Sequence, residues 1–172
     1  MKKIPAKQIS FSKKKRDKKQ IYYIVIHNTG NSNDTAENNG KYFANVNIRE
    51  AGAHFFIDQM GTVVKSIDLN RTAYSVGGKK YDSCERTGGG KLYGICTNEN
   101  SISIELCDII RKDPSEKMIK AVWRTVKYIQ KYCPNAKTII RHFDVNGKAC
   151  PSNMVNEDSW NRFQLRLLKA AL

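Results

Sequence analysis

The sequence lacks any long apolar run, and no stretch approaches the roughly 20 residues that a membrane-spanning helix needs. Acidic residues are scarce, because 16 Asp and Glu stand against 30 Lys and Arg, which gives a net charge of +14. Only three histidines occur, and the five cysteines form no Cys-x-x-Cys pair. These shortages predict a chain without a membrane span and argue against a disulfide framework.

The N-terminus is charged, but no apolar segment follows it, so it lacks the pattern of a secretory signal peptide. We therefore expect the protein to be made in the cytoplasm. With 172 residues, of which 40% are hydrophobic, the chain is long enough to form one domain around a buried core. Its strongly positive charge favours a polyanionic partner.

Most of the excess positive charge lies at the start of the chain. Residues 1–20 contain nine Lys or Arg and one Asp, a net charge of +8 that leaves +6 for the remainder. Such a run predicts a solvated basic arm, followed by a single domain over residues 21–172. Nucleic acid and anionic envelope polymers such as teichoic acid are both candidate targets. We disfavour nucleic acid, because no aromatic residue beyond Phe11 is interleaved with the charges.

Three segments have the residue pattern of β-strands, and each contains a histidine or a glutamate that could take part in catalysis or metal binding. The run IYYIVIH predicts a buried strand that ends at His27. In SISIEL, apolar and polar residues alternate, so Glu105 lies on the polar face of a strand. The segment KTIIRH predicts a further strand that ends at His142.

A hairpin and three helices are predicted around these strands. The hairpin joins AHFFID to TVVKSI through a turn at Gly61. One helix starts at Asp34 or Thr35 and runs to about Val46, a second is capped by Asp113, and a third closes the chain. Strands alternating with helices predict an α/β (mixed α+β) fold in which helices flank a central mixed β-sheet within a single domain.

Strand ends deliver side chains to a common sheet edge, so His27 and His142 can meet although they are distant in sequence. Cys150 follows His142 on a short glycine-containing loop. Two imidazoles and one thiolate form the ligand set of a catalytic Zn²⁺ site that keeps an open position. The alternative is that the histidines are hydrogen-bonded core residues and Cys150 is a small buried apolar residue.

A hydrolytic zinc site also needs a base and a cation or donor for the oxyanion that forms. Glu105 is the candidate base, and Lys148, two residues before Cys150, is the candidate cation. Taken alone, each is better interpreted as an ordinary exposed residue. The glycine-rich segment from about residue 77 to 94 is too long for a simple connector and is a candidate wall of a binding groove.

Four stretches together resemble a known family: YIVIHNTG, GAHFFIDQMGTVV, NENSISIEL and RHFDVNGKACPS. They are similar to zinc-dependent N-acetylmuramoyl-L-alanine amidases of the type-2 family, which includes phage endolysins and is related to peptidoglycan recognition proteins. The resemblance covers about residues 20–152. It implies hydrolysis of the amide that joins N-acetylmuramic acid to L-alanine, in the peptidoglycan of Gram-positive walls, after the protein has been released.

The resemblance also implies roles for five residues. His27, His142 and Cys150 match the zinc ligands, Glu105 matches the general base, and Lys148 matches the residue that stabilises the transition state. Some relatives carry a catalytic tyrosine where this chain has Ala53. The resemblance therefore implies that catalysis in this chain relies on Glu105 instead of a tyrosine.

Two roles and one alternative function stay open. His54 is either a substrate-side residue or a structural one, and Asp144 either orients a site residue or shapes the turn before Gly147. The alternative function is a non-catalytic module of the same fold that binds muropeptides. Loss of a zinc ligand would mark such a module, and no ligand is lost here.

Overall fold

A six-stranded mixed β-sheet organises the chain, and the computed structural model describes residues 1–171. The eight strands are β1 (Lys2–Lys3), β2 (Phe11–Lys15), β3 (Tyr23–Asn28), β4 (Phe55–Ile57), β5 (Val63–Lys65), β6 (Arg71–Ala73), β7 (Ser101–Leu106) and β8 (Thr138–Arg141). The order in the large sheet is β1-β5-β4-β7-β3-β8, and β2 pairs with β6 in a separate two-stranded sheet. The helices are α1 (Ala36–Asn45), α2 (Cys84–Thr87), α3 (Glu116–Tyr132), α4 (His142–Asn146) and α5 (Glu157–Lys169).

The predicted mixed α/β fold is confirmed. Strand β3 lies between β7 and β8 and is parallel to both, whereas β4 and β5 form the predicted antiparallel hairpin. Gly61 in that turn has a φ of +79°, a conformation that glycine adopts without strain. Parallel pairing places the carboxyl ends of β3, β7 and β8 at the same edge of the sheet.

Alternation along the strands gives the sheet two buried faces with different partners. One face presents isoleucines such as Ile24, Ile26 and Ile104 to α3 and α5, and this layer is the main core. The opposite face carries Val25 and Phe56 in two smaller apolar clusters beneath α1 and α4. Because His27 and Glu105 lie on this second face, the site residues are outside the main core.

Two predicted boundaries are wrong by a few residues. Helix α3 is capped by Ser115, whose hydroxyl accepts a hydrogen bond from the Met118 N–H at 3.1 Å, and not by Asp113. Strand β8 ends at Arg141, and His142 begins the short helix α4 instead of ending the strand. The second correction places His142 on a short helix whose start is fixed by Arg141 and Asp144.

The prediction that residues 1–20 form a free solvated arm does not describe the fold. Strand β1 pairs in parallel with β5, and β2 pairs antiparallel with β6. Ser10 is fully buried, and Arg16 donates hydrogen bonds to the carbonyl oxygens of Asn98 and Glu99 at 2.7 and 2.8 Å. The lysine side chains of the segment stay largely exposed while its backbone is part of the domain.

Among residues 1–171, no helix combines the length and the apolar character that crossing a membrane would require.

Candidate active site

The strand register brings Glu105 next to His27. Residues 27 and 105 are direct partners across β3 and β7, and residue 105 is paired in turn with Phe56 on β4. A row of three side chains, Phe56, Glu105 and His27, therefore crosses the second face of the sheet. The Nδ1 atom of His27 lies 4.0 Å from Oε1 of Glu105.

His142 reaches the same edge because β8 is parallel to β3 and ends at Arg141, which lies opposite Ile26, one residue before the level of His27. The preceding residue, Arg141, is buried and anchors this boundary. Its backbone N–H donates to Oδ2 of Asp144 at 2.8 Å, and its guanidinium contacts Asp144, Glu157 and the carbonyl oxygens of Met154 and Val155. Asp144 therefore fixes the start of α4, and its side chain is hydrogen-bonded to Arg141 and not to His142 or Lys148.

The loop after α4 returns Cys150 to the end of β3. The backbone N–H of Asn28 donates to Cys150 Sγ at 3.4 Å, and the Phe143 N–H donates to the Cys150 carbonyl at 2.8 Å. The Asn28 side chain also accepts a hydrogen bond from the Ser152 N–H at 3.1 Å. Gly147 allows the reversal, because its φ is +86° and a side chain there would collide with the Cys84 sulfur.

His27, His142 and Cys150 are all buried, and one ligating atom from each lies within 4.8 Å of the others. The two imidazole centroids are 4.6 Å apart, and Cys150 Sγ lies 3.9 Å from His27 Nδ1. Neither ring nitrogen of His142 has a hydrogen-bond partner among the described residues, and Nε2 of His27 also has none. Buried polar atoms are nearly always paired, so this cluster is a candidate metal site.

Burial shifts the pKa values of the site residues away from their ordinary values. It lowers the pKa of His142 to about 4 and that of His27 well below its usual value, so both imidazoles are neutral near pH 7. Burial also raises the pKa of Glu105 to about 7, although the nearby Lys148 ammonium opposes this shift. The pKa of the Cys150 thiol rises to about 12 through burial and the Glu105 charge. A bound cation would favour the thiolate, since metal ligation requires a deprotonated sulfur.

Lys148 is exposed and lines a cavity of about 730 Å³, hereafter the lysine cavity. Its wall includes Gly77, Lys79, Lys80, Asp82, His142 and Lys148. The glycine-rich segment thus borders the site as predicted from its length and composition. After burial, the positive charge of Lys148 also contributes to the lowered pKa values of both histidines.

His54 is fully buried and takes part in hydrogen bonds away from the metal cluster. Its Nδ1 lies 3.0 Å from Ser103 Oγ, and its Nε2 lies 3.0 Å from Arg16 Nη2 and 3.1 Å from the Arg71 carbonyl. These contacts favour the structural alternative for His54. Sequence reasoning missed Arg16, because a basic residue in a lysine-rich run gives no signal of burial.

The parallel strand ends and the buried His–His–Cys cluster define this chain as a mixed α/β protein with a candidate hydrolytic metal centre. A comparison with protein families matches residues 17–153 to N-acetylmuramoyl-L-alanine amidase, Amidase_2. The chain therefore belongs to this family, and the resemblance seen in the sequence is confirmed.

Two curated relatives come from Bacillus subtilis strain 168. The N-acetylmuramoyl-L-alanine amidase BlyA is 32% identical over 143 residues, which are 77% of this chain and 36% of the relative. The amidase CwlA is 30% identical over 142 residues, which are 80% of this chain and 46% of the relative. The chain thus spans less than half the length of these two relatives.

Solved structures show the same fold. The structure of PlyL aligns with a TM-score of 0.73 at 22% identity and covers 97% of this chain and 96% of PlyL. The solution structure of the PlyG catalytic domain aligns with a TM-score of 0.72 at 23% identity, covering 98% of this chain and 93% of that domain.

Proposed function

We propose that this chain is a zinc-dependent amidase that hydrolyses the bond between N-acetylmuramic acid and L-alanine in peptidoglycan of Gram-positive walls. One observation supports this proposal most directly. His27, His142 and Cys150 lie together at one sheet edge. Glu105 and Lys148 lie beside them. Family membership and the amidase relatives support the substrate.

The three ligating side chains fit zinc by their chemistry. Two neutral imidazoles and one sulfur form a ligand set used for catalytic zinc, with a position left for substrate or water. Such an ion would give one ring nitrogen of each histidine a partner, and both nitrogens of His142 lack one among the described residues. The chemistry that zinc supplies when bound is Lewis-acid polarisation at the scissile carbonyl.

Glu105 acts as the general base in this proposal. It removes a proton from the attacking water as the new C–O bond forms, and it delivers a proton to the leaving nitrogen as the C–N bond breaks. A pKa of about 7 suits both transfers, because the group can hold and release a proton near neutral pH.

Lys148 stabilises the negative charge that develops on the carbonyl oxygen. Its ammonium is exposed on the lysine cavity wall next to His142, so it can reach a substrate bound there. Asn28 assists indirectly, since its backbone N–H donates to the Cys150 sulfur and favours the thiolate.

We also propose that the basic N-terminal segment contacts anionic wall polymers. Lys13, Lys14 and Lys15 are consecutive exposed residues on the edge strand β2, and the carbonyl of Lys13 is held by Arg71. Because this backbone is held in place, the three exposed charges keep fixed positions on the two sides of the strand, which suits long-range attraction to a polyanion.

The amidase proposal is tested by identifying which peptidoglycan bond is cleaved, from the new amino termini that form. Gram-positive peptidoglycan is digested with the wild-type chain and with Glu105→Gln, and new amino termini are labelled and identified by mass spectrometry. We expect free stem peptides that begin with L-alanine, formed about 100- to 10,000-fold more slowly by Glu105→Gln. Bound but uncut wall would instead support the muropeptide-binding alternative.

A further inference from the structure

A row of cations lies along the exposed side of α3, with no acidic residue between them in the sequence. Its members are Lys117, Lys120, Arg124, Lys127 and Lys131, and all are exposed. Spacings of three and four residues place them within an arc of about 80° around the helix axis. The row extends over about 21 Å, since each residue adds about 1.5 Å along the helix. We call it the α3 row.

None of the cations in the α3 row forms an ion pair among residues 1–171. The single acidic residue of α3, Glu116, is paired instead with Arg166 of α5 at 2.6 Å. Like charges three and four residues apart on a helix repel each other, and no paired carboxylate offsets that repulsion here. Such a row favours an anionic partner that extends along the whole helix.

The α3 row faces away from the candidate active site. The opposite side of α3 buries Met118, Val122 and Ile129 in the main core, against one face of the sheet. The candidate active site lies on the other face of the sheet. A partner bound to the α3 row would therefore leave the site open on the far side of the molecule.

Aromatic side chains border the α3 row. Lys127 Nζ lies 5.2 Å from the centre of the Trp123 ring, which is partly buried against the core. Tyr132 is exposed, and the Nζ atoms of Lys18 and Lys131 lie 5.6 and 5.8 Å from its ring centre. Tryptophan and tyrosine beside lysine are typical of protein surfaces that lie at the boundary between lipid and water.

Two exposed methionines lie near the N-terminal half of the α3 row. Met60 is 69% exposed, and its turn lies against the start of α3, because a side chain at Gly61 would meet the Lys117 carbonyl. Met1 is 60% exposed and lines a cavity of about 480 Å³ together with Arg124. A lipid surface can take up both cations and apolar side chains, whereas a soluble polyanion offers nothing that binds the methionines.

We propose that the α3 row docks the protein on an anionic phospholipid surface, with Met1 and Met60 entering the boundary between headgroups and acyl chains. Each lysine or arginine near such a surface adds attraction, and the methionines add apolar contact that charge alone does not supply. The candidate active site then points away from the lipid. This inference does not depend on the amidase proposal, because the α3 row and the site lie on opposite faces of the sheet.

Vesicle flotation with the full chain tests the docking. One set of vesicles contains phosphatidylglycerol and phosphatidylcholine in equal parts, and the other contains phosphatidylcholine alone. We expect the chain to float with the anionic vesicles only, and less so as salt is added. Replacing Lys117, Lys120 and Lys127 with Gln should lower the partition coefficient about 100-fold, because each lysine near an anionic surface contributes to the attraction.

The matched control replaces three exposed lysines of β2, Lys13, Lys14 and Lys15, with Gln, which removes the same charge outside the α3 row. This control should keep most of the vesicle affinity. A second variant, Met60→Ser, distinguishes a lipid surface from a soluble polyanion, because it removes no charge. It should weaken flotation several-fold and leave binding to double-stranded DNA unchanged. Circular dichroism checks that every variant is folded.

Equal loss of flotation in the two lysine variants, equal flotation of the wild-type chain with neutral vesicles, or wild-type flotation of Met60→Ser would each overturn the inference. The last result would assign the α3 row to a soluble polyanion such as nucleic acid. The amidase proposal is tested separately by the bond that is cleaved. A chain that floats as expected but leaves peptidoglycan intact refutes that proposal alone.

Discussion

Cys150 and Lys148 lie two positions apart, yet their environments differ sharply. Cys150 is buried against His27 and Asn28, whereas Lys148 and the intervening Ala149 are exposed. The short loop therefore sends a sulfur inward to the candidate metal site and an ammonium outward to the lysine cavity. This difference predicts that substitutions at the two positions separate metal binding from turnover.

Lys148→Ala should lower kcat about 100- to 1,000-fold, because a cation that stabilises the oxyanion is lost, and should leave the zinc content unchanged. Cys150→Ser should lower zinc affinity by more than the roughly 10- to 100-fold that loss of an outer contact to a metal ligand typically causes. Zinc per chain and hydrolysis rate are measured on the same preparations. Equal activity and equal zinc content in both variants would refute these assignments.

The main strands and helices were predictable because their patterns are local. The alternation in SISIEL placed Glu105 on a polar face, and the apolar run before His27 indicated a buried strand, as the structure shows. The register that makes Glu105 the neighbour of His27 was not predictable, since it depends on pairing between strands far apart in sequence.

The N-terminal segment shows a different limit of sequence patterns. Its high charge predicted a free arm, but several contacts attach it to the domain, including Ile4 packed against the apolar cluster that contains Val64 and Ser10 bonded to Asn47. Arg16 is the strongest of these, since its guanidinium reaches three carbonyl oxygens and His54. Burial lowers the Arg16 pKa to about 10, in keeping with an enclosed guanidinium.

Arg16→Met should lower the free energy of unfolding by about 3 kcal/mol, because several hydrogen bonds from a charged group are lost together. Urea denaturation followed by circular dichroism measures this change. Lys14→Met is the matched control, because Lys14 is exposed on the same segment and its loss should change stability by less than about 0.5 kcal/mol. If both substitutions changed the free energy of unfolding by equal, small amounts, the prediction of a free N-terminal arm would be supported instead.

Across the whole molecule, most of the net charge of +14 lies in residues 1–20, whose backbone pairs with β5 and β6. Attraction between exposed charges is screened by salt, so wall binding through this surface should weaken as ionic strength rises. The attraction is separate from the chemistry of the site, because the exposed lysines of β2 do not line the lysine cavity.

Replacing Lys13, Lys14 and Lys15 with Gln should reduce retention on teichoic-acid-bearing walls several-fold at low salt and leave cleavage of soluble fragments unchanged. The control replaces three exposed lysines of α3, Lys117, Lys120 and Lys127, which removes the same charge elsewhere. Wall pull-down at increasing salt measures the difference. Equal retention of both variants would show that total charge, and not this strand, is what the wall attracts.

The most direct test of the account is the zinc dependence of a defined cut. The chain is depleted of metal with a chelator, supplied with one equivalent of zinc, and its peptidoglycan products are compared by mass spectrometry before and after. We predict that stem peptides beginning with L-alanine are absent from the depleted sample and return with zinc. Release of the same peptides without metal, or cleavage at another bond, would contradict the account.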